Sequence, residues 1–116
     1  MNRNVSTTAN ALRRLWDNAV DTLPPDQLKW FDGLNEFAKM EAENISESLD
    51  ALAVMFNSTE KSALPTESAT AVMLWSLSYQ IDTIAALIEI AGDAAHYRET
   101  ERRPTSEVPP MHPHRR

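Results

Sequence analysis

The sequence predicts an all-α protein, a long antiparallel helical hairpin preceded by a shorter helix, and three observations carry that expectation. Glycine occurs only twice in 116 residues, at Gly33 and Gly92. That is too few for the turns and close backbone approaches of an all-β fold or a phosphate-cradling loop. Apolar residues recur at alternating steps of three and four over two long stretches, the spacing of one helix face. Cysteine is absent, which excludes a disulfide framework, a thiolate metal site and a cysteine nucleophile. A chain of this length makes one domain, read as a helical unit over 1–103 followed by a flexible tail over 104–116.

The first helix is expected over 8–23. Ser6, Thr7 and Thr8 offer hydroxyls to cap it. Leu12, Leu15, Trp16, Ala19 and Leu23 then form an amphipathic stripe. Pro24-Pro25 ends it, because a residue before proline is pushed out of the α region. A second helix is expected over 26–56 with Asp26 as its cap. Ala38, Ala42, Ile45, Leu49, Leu52 and Phe56 mark its seam, and Leu28, Phe31, Leu34 and Phe37 broaden the apolar face near its start. Gly33 falls inside it, where glycine costs ~1 kcal/mol relative to alanine and marks a place for a break or kink.

The segment 57–65 (NSTEKSALP) reads as a turn, and Thr66 caps a third helix expected over 66–99. Leu74, Leu77, Ile81, Ile84, Ile88, Ala91 and Ala95 continue the seam, with Val72, Met73, Trp75, Leu87 and Ile90 beside it. This face is wider than one partner helix can cover, and the first helix is about half as long as the third. A homodimer closing into a four-helix-type bundle is the natural completion, with Leu77, Ile81, Ile84 and Ile88 as its interface. A monomeric three-helix bundle is the competing arrangement. The tail (PTSEVPPMHPHRR) has four prolines and too few apolar residues to offset the entropy of ordering.

The net charge of −6 is unevenly spread: residues 1–31 sum to +1, 32–60 to −6, 66–99 to −4 and 100–116 to +2, with Lys61 adding +1. An acidic body repels nucleic-acid phosphate and anionic lipid, so direct nucleic-acid binding is not expected. The N-terminus lacks the apolar stretch of a signal peptide. The most strongly apolar run, Ile84 to Ala91, contains Glu89 and is shorter than the ~20 residues of a membrane span. A reducing cytoplasm and no membrane partner are therefore expected.

Catalytic and metal chemistry find little support in the pattern. None of His96, His112 and His114 follows a glutamate by three residues, as helical carboxylate metal sites require. No motif supplies a nucleophile, base and orienting group together, so no cofactor, metal or catalytic residue is expected. Trp16 belongs to the stripe of the first helix and is expected in the core. Trp30 adjoins Phe31 and Trp75 adjoins Leu74, and neighbouring residues on a helix cannot face the same way. Burial within the protein or its dimer is expected for Trp30 and Trp75, with an exposed docking patch as the other reading.

Glu36, Glu43 and Asp50 are seven residues apart and share one helix face with Glu47. A solvated face is the ordinary explanation. Carboxylates ~5–6 Å apart on a helix also resemble the phosphates of one nucleic-acid strand. The expected function is thus a small regulatory or adaptor protein acting by protein–protein contact. The alternative is an inhibitor, of the anti-defence kind phages encode, that blocks a basic nucleic-acid-binding complex through these acids. A small enzyme or metal carrier is the least supported. No motif is specific enough to name a family.

Overall fold

A computed structural model of the chain describes residues 4–58 and 64–102. Helix α1 spans Thr8–Ala19 and tightens into a 3-10 turn over Val20–Thr22. Helices α2 (Pro25–Asp32) and α3 (Leu34–Phe56) follow, and α4 (Glu67–Arg102) closes the described chain. There is no strand among the described residues. The tail expected over 104–116 and the centre of the turn before α4 lie outside them.

Local chemistry sets most of these boundaries. The Thr7 hydroxyl accepts from the Asn10 backbone N–H at 3.1 Å, and the Thr66 hydroxyl accepts from that of Ala69 at 3.1 Å; each satisfies a donor the helix start leaves free. Leu23 is extended ahead of Pro24, as the proline ring demands. Pro25 rather than Asp26 opens α2, because the first helical position tolerates a missing N–H; Asp26 lies within the first turn, where its charge complements the helix dipole.

The expected second helix is divided at Gly33. Its N–H is shared between the carbonyls of Lys29 and Trp30 at 3.2 and 3.1 Å, and its own carbonyl accepts from Glu36 at 3.2 Å. A Cβ there would sit 3.2 Å from the Trp30 carbonyl oxygen, so glycine suits this tight bend.

The architecture is a pole with three shorter helices on it. Helices α1, α2 and α3 each pack on α4, and α2 and α3 make far less contact with each other than either makes with α4. Leu28 meets Ile90 and Ala94, whereas Ala38 and Ile45 meet Ile84, so α2 and α3 run antiparallel to α4. Arg13 bonds to Asp82 and Glu89 and Trp16 to Asp93, so α1 runs parallel to it. Two buried clusters result. One joins α1, α2 and α4 through Trp16, Val20, Leu28, Ile90 and Ala94. The other joins α3 and α4 through Ala38, Ile45 and Ile84, with Leu77 and Leu87 packed against it. Ala38, Ala86 and Ala94 are fully buried, which lets backbones approach closely. The molecule extends 72 × 26 × 18 Å, and its shortest dimension is under two helix diameters.

Candidate functional site

The buried polar groups lie along the contact between α1 and α4. The Arg13 guanidinium donates to both carboxylate oxygens of Glu89 at 3.1 Å, to Asp82 at 3.4 Å and to the Asn10 side-chain oxygen at 2.9 Å. The Asn10 amide in turn donates to the Val5 carbonyl at 2.8 Å, tying the segment before α1 to the same network. Hydrogen bonding to Glu89 is the largest influence holding the Arg13 pKa above its ordinary value, against the desolvation of the guanidinium. One turn along, the Trp16 indole N–H donates to Asp93 at 2.9 Å. Arg98 pairs with Asp32, tying α4 to α2. The bonds of Arg13 to Glu89 and Asp82, of Trp16 to Asp93 and of Arg98 to Asp32 each join one helix to another, and together they fix how α1 and α2 sit on the pole.

A cleft of about 500 Å³ at the C-terminal end of α4 is lined by Val20, Asp21, Leu23, Leu28, His96, Tyr97 and Thr100. Asp21 and burial raise the pKa of the Tyr97 phenol by disfavouring a second negative charge. His96 meets Tyr97 edge to ring at 6.1 Å. Among the described residues no group of three or more His, Asp or Glu is arranged to hold a metal ion.

The acidic series occupies one place. Glu36, Glu43, Glu47 and Asp50 are all exposed. At 100° per residue they lie within about 40° of the line diametrically opposite Ile45, which packs on α4. They face straight outward, and no hydrogen bond or ion pair among the described residues holds them.

The tryptophans are placed separately. Trp16 is in the core. Phe31 turns inward to Trp16, with ring centroids 5.1 Å apart, while Trp30 meets Phe31 edge-on at 5.0 Å and stays 64% exposed. Trp75 is 61% exposed and stacks on Tyr79 at 6.2 Å, beyond the N-terminal end of α1. Within one chain neither Trp30 nor Trp75 is buried, and they belong to different ends of the molecule.

The four residues expected at a dimer interface divide into two rows. Ile84 is buried and Leu77 half-buried against α3, whereas Ile81 and Ile88 are each 49% exposed. By length and composition alone, α4 is long and apolar enough to span a membrane. The grouping of Arg13 with Asp82 and Glu89 is not an expectation of the sequence; its available signal is an arginine three residues before Trp16 and two acids seven residues apart in the apolar part of α4.

The fold and these sites define an all-helical protein whose described polar contacts join its own helices. Compared with protein-family models, curated proteins and solved structures, the chain has no significant match.

Proposed function

We propose that the protein is a non-catalytic, cytoplasmic interaction protein that works as a homodimer and regulates or adapts a second protein by contact. The observation that carries this reading is the division of its side chains. The ionic and hydrogen-bonding groups brought together in the interior pair with one another between helices. Trp30, Trp75 and a run of other large apolar side chains stand in solvent instead, and tryptophan contributes disproportionately to protein interfaces. Asp82 and Glu89, ion-paired near the middle of α4, favour a helix in water over one in lipid.

The outward row of Glu36, Glu43, Glu47 and Asp50 favours a second reading, an inhibitor that occupies the basic groove of a nucleic-acid-binding complex. One experiment separates the two. The protein and two variants, one with the four acids changed to Lys and one carrying Trp30→Ala and Trp75→Ala, are used to capture partners at low and physiological salt. Capture lost in the Trp variant and indifferent to salt supports docking through apolar surface. Capture lost in the Lys variant, weakened by salt and displaced by nucleic acid supports the inhibitor, since exposed charges are screened within ~8–10 Å at physiological ionic strength. Capture unaffected by either set of substitutions overturns both assignments.

A further inference from the structure

Two rows of residues on α4 belong to neither buried cluster of the described residues. Leu74, Ile81, Ile88 and Ala95 are seven residues apart, and so are Ser78, Ala85 and Gly92. Three helices cover the other sides of α4, yet Leu74, Ile81 and Ile88 remain about half exposed. Gly92 is informative because it lies well inside a 36-residue helix. A Cβ built on it would meet nothing within 4 Å. Packing inside the chain therefore gives no reason for a residue that weakens a helix by ~1 kcal/mol relative to alanine. Close approach of something outside the chain does.

We infer that this side of α4 is the surface through which two copies of the chain meet, with their α4 helices antiparallel about a two-fold axis at Ala85. The inference rests on the homodimer proposed above and assigns its geometry. The spacing is self-complementary about that point. A two-fold at Ala85 sets Ile81 of one copy beside Ile88 of the other, Ser78 beside Gly92, and Leu74 beside Ala95. Ile81 thus meets Ile88 on both sides of the axis, Leu74 packs over the small Ala95, and Ser78 and Gly92 allow the backbones to approach. This is the isologous arrangement a two-fold dimer needs.

Charge selects a second copy over a basic partner. The protein carries a net charge of −6, yet neither row contains an ionisable residue. Glu36, Glu43, Glu47 and Asp50 point away from α4, and Asp82 and Glu89 are engaged by Arg13. Two acidic chains meet here without opposing their carboxylates, while a cationic partner finds no anion. The rows run ~30 Å along α4, and with the adjoining edge of α3, which contributes Leu49, the face is ~20 Å wide. That offers ~600 Å² per copy, at the low end of the ~600–1,000 Å² per partner of stable interfaces.

The test uses the absence of native cysteine. Ala85→Cys places one thiol at the two-fold axis, and Ala11→Cys, exposed on α1, serves as the control. Light scattering at tens of micromolar should give the mass of a dimer. Mild oxidation should then link the Ala85→Cys chains quantitatively and leave the control unlinked. Ile81→Asp and Gly92→Leu, both at open positions that leave the fold of one chain intact, should keep the helical circular dichroism and weaken dimerisation by ~100-fold or more. A dimer in which Ala85→Cys links no better than the control, or which survives Ile81→Asp, overturns this face and leaves the homodimer standing. A wild-type monomer overturns both.

Discussion

Replacing Arg13 with Met is expected to loosen α1, and the size of the effect follows from what remains behind. The Arg13 side chain is 10% exposed, that of Asp82 17% and that of Glu89 47%. Methionine keeps the packing of the arginine stem and removes the charge. Glu89 then regains water, so its share of the loss is that of a surface pair, ~0–1 kcal/mol. Asp82 does not: one of its oxygens is already buried without a hydrogen-bond partner among the described residues, and the other loses the guanidinium it pairs with. Breaking a buried pair from one side costs ~3–5 kcal/mol because a charge is left uncompensated, and the partial exposure here reduces that to ~2–4 kcal/mol. For a domain of this size the melting temperature should fall by ~8–20 °C. Adding Asp82→Leu to Arg13→Met removes the orphaned charge and should recover most of the loss, as apolar replacement of a buried pair is often near neutral. The assay is urea unfolding at fixed protein concentration, followed by circular dichroism and by the fluorescence of Trp16 with Trp30 and Trp75 changed to Phe. A single variant within ~0.5 kcal/mol of wild type, or a double variant no better than the single, refutes the reasoning.

Trp16→Phe removes the bond to Asp93, which is exposed and regains water, so the loss in urea unfolding should be ~1–2 kcal/mol. Ala94→Leu overpacks the fully buried contact between α2 and α4 and should cost ~1–3 kcal/mol, against ~0.5 kcal/mol or less for Ala53→Leu on the exposed side of α3. Because the fold favours the neutral Tyr97 phenol, its contribution should be complete below the ordinary tyrosine pKa of 10.0 and disappear as pH rises through the raised folded value. Urea midpoints measured across that range should therefore fall less steeply in Tyr97→Phe than in wild type.

Much of the helical layout follows from local chemistry that the sequence displays. Threonine hydroxyls at 7 and 66 and the pair Pro24-Pro25 act on their immediate neighbours, so the residues that form these boundaries are contiguous. The division between Trp30 and Phe31 follows from helical rotation alone. The interior of α1 is different. Arg13 reads as a surface residue until Asp82 and Glu89, 69 and 76 residues away, are brought to it. In a periodicity reading those two acids merely interrupt an apolar stretch. The candidate acidic face was visible because it needs one helix; the polar joint between α1 and α4 was not, because it needs two.

The same reason explains why the apolar width of α4 was legible and its use was not. Helix α4 is packed by α1, α2 and α3 on different sides, so its apolar residues are spread around most of its circumference. The pattern announces more than one partner without saying which side each takes. Two neighbouring rows, 77-84-91 and 74-81-88, are offset by about 40–60°, and either would serve an antiparallel neighbour. Packing of Ala38 and Ile45 on Ile84 selects the first row for α3, and the Arg13 network draws α1 to a third side. The row at 74-81-88 is left open by charge pairing on the other side of the helix, not by any weakness in its own hydrophobic pattern.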